Sequence, residues 1–483
     1  MGHYQDALDY IFHYVNYERQ ARYRYDATTF DLGRMMELLD KMGRPHERFQ
    51  CVHIAGTKGK GSTSAMTESV LRAAGFRTGL YTSPHLHTFR ERIRVAGELI
   101  PKQALVDVLS RNREAIETTA GVTAFEVMTA LAFAHFADSR VEWAVLEVGL
   151  GGRLDATNVV RPAVCGITSL SYDHTDLLGH TLSLIAWEKA GIAKAGVPLV
   201  SAPQETQAME VIEQVCGDIG ARLVRVGVDW TVEREEGDLG GQTLTVRRVA
   251  DNLALRDLRI RLLGRHQITN AATAVAILAE LNAQGVLITE DVLRAGLLQA
   301  LWPGRFEVLQ RRPVLVVDSA HNADSARKLQ AALADCFPRP PRARTVLVFG
   351  ASADKDIDKI LEQFLRPDPA SGYAAVDRVI VTQSRHPRSA SPEDLVRQVR
   401  AVSPDIYVSS HHEVEGALHE ATTWAEPHDL ICVTGSIFVV AQARRAWAQG
   451  HPAAFSADDW VFQDETAGAP VPDDEPALEA LPW

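Results

Sequence analysis

The sequence predicts two consecutive α/β units, the first built on a central, mostly parallel sheet with a small antiparallel sheet beside it. Three observations carry that expectation. Short apolar runs alternate with helical stretches from Gln50 onward, a stretch rich in Val, Thr, Leu and Arg interrupts them between Arg222 and Leu263, and the alternation resumes after Trp302-Pro303-Gly304. At 483 residues the chain also exceeds what one hydrophobic core holds, which favours two domains.

Taken in order, Leu8, Ile11, Phe12 and Val15, then Leu32, Met35, Met36 and Leu39, each trace one apolar stripe at helical spacing. Strands are expected at Cys51 to Ala55, Gly79 to Thr82, Ala144 to Val148, Val164 to Ser169 and Pro198 to Ser201. Turn signals at Glu236-Gly237-Asp238 and Gly240-Gly241 divide the Arg222 to Leu263 stretch into antiparallel strands. Helical spacing returns from Asn270 to Leu281, and Trp302-Pro303-Gly304 breaks the chain at the approach to the domain boundary. The second unit's strands are expected at Val314 to Asp318, Thr345 to Gly350, Arg378 to Thr382 and Leu430 to Gly435. The expected division is therefore 1–304, 305–450 and a tail, 451–483. Beyond His451 the tail holds Asp458, Asp459, Asp464, Glu465, Asp473, Asp474, Glu475 and Glu479, with no Lys or Arg and several prolines, so it reads as disordered and without a catalytic role.

Composition excludes several classes. Hydrophobic content of 46% and charged content of 23% are those of soluble globular proteins, and no apolar run approaches the ~20 residues that span a bilayer. The first residues mix Asp6, Asp9, His3 and His13 among apolar ones, unlike a secretory signal. Five scattered cysteines form neither a zinc pattern nor a disulfide framework, which fits a reducing cytoplasm. A formal charge of -12 argues against general nucleic-acid binding.

The run Cys51 to Ala55 leads into Gly56-Thr57-Lys58-Gly59-Lys60-Gly61-Ser62, and Ser62 to Ala74 continues as a helix closed by Gly75. Strand, glycine loop and helix form a phosphate cradle. Backbone N–H groups converge on phosphate oxygens, Lys60 neutralises the β and γ phosphates, and Ser62 or Thr63 faces Mg²⁺. Gly61 between Lys60 and Ser62, and Ile54 at the first glycine's place, depart from G-x-x-x-x-G-K-[ST]. A plain glycine-rich turn is the bland reading. Two lysines in so tight a loop repel one another unless an anion lies between them.

This loop resembles that of the Mur ligase superfamily, and Ser83-Pro84-His85-Leu86 is similar to its folylpolyglutamate synthase and dihydrofolate synthase branch. The resemblance recurs at Glu147 to Asn158, Asp173-His174, Glu188-Lys189-Ala190-Gly191-Ile192, Gly264-Arg265-His266-Gln267 with Asn270, Trp302-Pro303-Gly304-Arg305 and Asp318-Ser319-Ala320-His321-Asn322. Chance does not arrange so many blocks collinearly. The resemblance implies a P-loop ATPase-like N-terminal domain and a Rossmann-like, glutamate-binding C-terminal one. It also implies an ATP-dependent ligase joining L-glutamate to dihydropteroate or a reduced folate through an acyl phosphate.

The same resemblance assigns residues. Gly56 to Thr63 with Asn270, Arg305 and Asp318 would bind ATP; Ser62, Ser83, Glu147, His174 and Lys189 would face metal; Lys60, Lys189 and His321 would be catalytic. Thr123, Phe125 and Glu126 resemble a pterin pocket, with Arg153 and Asp155 from the Glu147 to Asn158 block added to the substrate set. Phe125, Met128 and Phe136 equally suit a buried helix face. Lys189 would carry a CO₂-derived carbamate, since a bare ammonium beside Mg²⁺ adds charge of the wrong sign; the bland alternative is a salt bridge to Glu188. Two Mg²⁺ ions, a monovalent cation, a monomeric cytoplasmic chain and no membrane or nucleic-acid partner complete the expectation.

Competing readings meet specific obstacles. A cell-wall ligase needs a further N-terminal domain, for which too little chain precedes Gly56. A P-loop kinase or switch would not need the carboxylated lysine or the second unit. A dinucleotide oxidoreductase fails at Leu154, where G-x-G-x-x-G requires glycine. A non-catalytic module would bind ATP without turnover.

Overall fold

The computed structural model describes residues 3–16, 30–337, 343–366 and 376–463. In the first unit the strands are β1 (Gln50–Ala55), β2 (Thr78–Tyr81), β3 (Ile93–Val95), β4 (Glu98–Leu99), β5 (Trp143–Glu147), β6 (Val164–Ile167), β7 (Leu199–Ser201) and β8 (Leu223–Arg225). They form one sheet in the order β4-β3-β2-β5-β1-β6-β7-β8. All neighbours from β2 to β8 are parallel, and β3 and β4 add an antiparallel edge. Strands buried on both faces are largely apolar because helices cover both sides, and in Cys51 to Ala55 the one polar residue, His53, is wholly buried and bonded to Thr157.

The helices Tyr4–His13 and Leu32–Lys41 bury Leu8, Ile11, Met35 and Leu39 as their stripes require. Val15 lies past the first helix, in a bridge to Thr123. The small antiparallel sheet comprises β9 (Trp230–Asp238), β10 (Gly241–Arg248) and β11 (Leu253–Ile260). The Arg222 to Leu263 stretch is thus not all antiparallel, since β8 within it pairs in parallel with β7.

The second unit's sheet contains β12 (Glu307–Arg311), β13 (Val314–Val317), β14 (Thr345–Phe349), β15 (Arg378–Thr382), β16 (Tyr407–His411) and β17 (Leu430–Thr434), in the order β12-β13-β17-β14-β15-β16. Only β12 runs antiparallel. The four predicted strands are its interior and the two unforeseen ones its edges.

The tail expectation needs correction at its start. Residues 451–463 are not free chain: they form turns at Pro452–Ala454 and Trp460–Phe462, and Asp459 pairs with the fully buried Arg444. The rest of the expected tail lies outside the described residues.

Candidate active site

In open α/β sheets, ligands bind at the carboxyl ends of the strands, where successive loops diverge. Here β1 runs into Gly56 to Lys60, β2 toward Ser83, β5 ends on Glu147, and β6 leads to Asp173 and His174. The second sheet delivers Asp318 and His321 after β13 and Lys355 after β14. Both sets line one cleft of about 2010 Å³.

The phosphate loop is fixed by close packing. Gly59 has φ +92, and a Cβ there would lie 2.2 Å from Asn270 Oδ1; one on Gly61 would lie 2.7 Å from the Trp302 ring. Gln267 Nε2 donates to Ser62 Oγ (3.3 Å), and Asn270 Nδ2 donates to Gln267 Oε1 (2.9 Å). Asn270 thereby braces the loop from the long Arg265–Ala283 helix. Of the two hydroxyls expected at the metal, Ser62 lines the cleft, whereas Thr63 is wholly buried with no hydrogen-bond partner for its Oγ1 among the described residues.

Glu147 is buried, and burial pushes its carboxyl up against the opposing Lys60 charge, the Ser83 N–H and Arg305. Its Oε2 accepts that N–H at 3.1 Å, and its other oxygen has no protein partner among the described residues. Lys189 is 5% exposed, with no carboxylate within 4 Å of its ammonium among the described residues; burial, then Lys60, lower it to about 7. The alternative reading, a salt bridge from Lys189 to Glu188, does not form, and Glu188 pairs instead with Arg153. His174 stands at φ 49 ahead of a short helix and is 47% exposed.

The residues present fit Mg²⁺. No group of three or more His, Cys, Asp or Glu side chains could hold a metal among the described residues. A desolvated carboxylate, Glu147, in a cleft also lined by Ser62 and Ser83 offers the few hard oxygens that Mg²⁺ takes when phosphates supply the rest.

Asp173 links the two halves. It receives Lys58 Nζ at 2.7 Å and Asn322 Nδ2 at 3.4 Å, with His321 Nε2 at 3.7 Å and Lys355 Nζ at 3.9 Å. Burial pushes its carboxyl up, but the Lys58 ammonium outweighs that, and the carboxyl is held well below the usual range. His321 Nδ1 lies 2.9 Å from Ser319 O and so carries the proton; Nε2, 3.1 Å from Lys58 Nζ, accepts. Lys58, then burial, keep this imidazole below its ordinary value and neutral at pH 7. Asp318 accepts from the N–H groups of Phe306 (2.7 Å) and Ala320 (2.9 Å), which sets the turn that holds Arg305 and His321. Ser319 replaces glycine there without loosening it, since its Oγ donates to Gly304 O at 3.0 Å.

Residues 54–278 match the model of the Mur ligase middle domain and residues 304–437 that of the Mur ligase glutamate ligase domain. A Bacillus subtilis dihydrofolate synthase/folylpolyglutamate synthase is 33% identical over 421 residues, covering 86% of this chain and 94% of the relative. The chain belongs to the folylpolyglutamate synthase and dihydrofolate synthase family of Mur ligases. It is an ATP-dependent carboxylate-amine ligase. The crystal structure of folylpolyglutamate synthase from Thermotoga maritima shares 33% identity at a TM-score of 0.77, covering 92% of this chain and 97% of that one. The Mycobacterium tuberculosis enzyme complexed with ADP shares 31% identity at 0.80, covering 92% and 99%.

Within this family member, the expected substrate set divides. Phe125 lines the cleft and packs near Tyr81 (centroids 6.2 Å). Thr123 and Glu126 form the capping box of the Ala124–Asp138 helix, and Glu126 also takes a bidentate pair from Arg34. Asp155 accepts from the N–H groups of Gly149, Leu150 and Thr157 and from the Thr157 hydroxyl, so its carboxylate shapes the loop after β5. Arg153 does not line the cleft: its guanidinium pairs with Glu188 at 2.8 Å and stacks 4.4 Å from the Trp187 ring. Sequence reasoning missed Lys355 and Asn322 as partners of Asp173, and Arg94 and Trp460, which line the cleft. The described residues contain no helix long and apolar enough to cross a membrane, and all five cysteines are free.

Proposed function

We propose that the chain joins L-glutamate to a folate-type carboxylate, accepting both dihydropteroate and reduced folates, with release of ADP and phosphate. The observation that carries this is the single cleft in which the phosphate loop and buried Glu147 face Arg305 and His321 from the second unit. Phosphoryl transfer needs charge stabilisation and positioning more than covalent chemistry from the protein. Lys58 and Lys60 on one side and Arg305 on the other hold the phosphates, with Asn270 on the adenine side. An acceptor carboxylate oxygen attacks the γ-phosphorus, the bond to ADP breaks, and the acyl phosphate results. The amine of glutamate, held by the 305–450 unit, then attacks the acyl carbon and expels phosphate. Neutral His321, with Nε2 unprotonated, is suited to take the proton from that amine. Mg²⁺ held by Glu147, Ser83 and Ser62, with His174 alongside, would offset phosphate charge. Phe125 offers a face to the flat pterin. Both halves of the cleft come from one chain, so a monomer suffices.

A double-label test decides the reading: phosphate release measured with ATP and glutamate, offering dihydropteroate or a reduced folate in turn. Release is expected with each. Release with neither would defeat the proposal.

Lys189 is further proposed to carry a carbamate. Its neutral Nζ attacks CO₂, an N–C bond forms, and a proton leaves, turning a cation into an anion that metal can use. A buried ammonium lowered to about 7 supplies the neutral amine at physiological pH. In bicarbonate, the intact mass should show the adduct, and its share should rise as pH increases through about 7. An unmodified mass at every pH in metal-loaded, bicarbonate-treated protein would sink the idea.

A further inference from the structure

After the last helix, Ile437–Gly450, the chain turns back across the edge of the cleft to the first unit. Asp459 is anchored by Arg444, with Nη1 to Oδ1 at 2.6 Å and Nη2 to Oδ2 at 2.8 Å. The same guanidinium grips Glu307 through Nε at 2.9 Å and lies 3.2 Å from His87 Nε2 in the first unit. Glu307 in turn accepts the Gly304 N–H at 2.8 Å, which fixes the Trp302-Pro303-Gly304 break. Beyond Asp459, Gln463 Oε1 accepts from Arg90 at 3.3 Å.

Between these anchors stands Trp460. Its ring meets Trp302 edge to face, with centroids 6.3 Å apart. The guanidinium of Arg94, on β3, lies 4.8 Å from the Trp302 ring and 4.7 Å from the Trp460 ring. Arg94 is 6% exposed, and its Nε and Nη2 have no hydrogen-bond partner among the described residues; the two aromatic rings cover the guanidinium, with Glu68, Glu91 and Glu147 near enough to offset its charge. Trp302 presses on the phosphate loop, leaving no room for a Cβ at Gly61.

We propose that Trp460 is a positioning residue for nucleotide binding: the Asp459–Gln463 strap clamps Arg94 against Trp302 and so holds the indole over Gly61. The phosphate loop then keeps the shape that directs its N–H groups at phosphate. This rests on the nucleotide-binding part of the proposed function and is independent of which amide the enzyme forms.

The test uses the full chain, with ADP affinity read by calorimetry and with ATP KM and kcat read separately. Trp460→Ala should weaken ADP binding and raise ATP KM about 5- to 30-fold, with a smaller change in kcat. Trp460→Phe should recover most of the loss, because a second aromatic face restores the clamp. Asp459→Asn should move ADP affinity the same way by loosening the anchor on Arg444. Folded Trp460→Ala protein that binds ADP within twofold of wild type would overturn the proposal, as would a loss confined to kcat. If Trp460→Ala does not fold, Asp459→Asn decides: weaker ADP binding supports the strap and unchanged binding refutes it. A wild-type chain that binds ADP yet forms no amide would defeat the ligase reading while leaving this test readable.

Discussion

Replacing Lys60 by alanine is expected to lower turnover about a thousandfold, the scale seen when one preorganised charge is removed from a phosphoryl-transfer site. The fold should survive. Lys60 opens the Lys60–Ala73 helix, where alanine is the best helix former, and its ammonium makes no ion pair with a protein carboxylate among the described residues. The loss has a second component. Burial, then Lys60, lower Lys189 to about 7, so removing Lys60 shifts Lys189 toward its ammonium form and lowers the supply of neutral amine. Steady-state phosphate release paired with thermal melting checks both statements. Wild-type turnover in a folded Lys60→Ala protein would remove the loop from the mechanism.

The second large effect concerns stability. Arg444 is 2% exposed and binds Glu307 and Asp459 at once. Arg444→Met keeps much of the packing volume but strands two carboxylates without their partner. Breaking a buried pair in this way costs about 3–5 kcal/mol. The urea midpoint should fall accordingly, whereas Met at a solvated surface arginine such as Arg397, which is 74% exposed, should leave it almost unmoved. An unchanged midpoint in Arg444→Met would show that the triad contributes little.

Much of this was legible in the sequence, and for identifiable reasons. Interior parallel strands are buried on both faces, so β1, β5, β13 and β17 read as continuous apolar runs. Edge strands carry weaker signals. β3 and β4 are three and two residues long, and β12 and β16 mix polar residues into half-exposed positions. The phosphate loop was readable because glycines and lysines alternate in six residues, whereas Lys355 and Asn322 reach Asp173 only through tertiary folding. Thr123 and Glu126 carry a second signal as well: Thr-x-x-Glu before an apolar run is the pattern of a capping box, and the helix uses it so while both residues line the cleft. Trp460 was hidden by composition, since an acidic, Lys- and Arg-free stretch masks a single aromatic anchor. Nothing in the primary sequence pairs Asp459 with an arginine that sits 15 residues earlier on a helix.

The carboxylate of Asp173 already occupies the cluster formed by Lys58, His321 and Lys355. An incoming anion must therefore compete with it for the Lys58 and Lys355 ammoniums. A small monovalent anion that displaced it would forfeit the contacts on both sides while replacing few of them. A chain of phosphates reaching from Lys58 toward Arg305, which lines the same cleft, would offer replacements on both halves together. Such a built-in competitor would set a threshold for entry, and the resting cleft is expected to favour a polyphosphate over small monovalent ions.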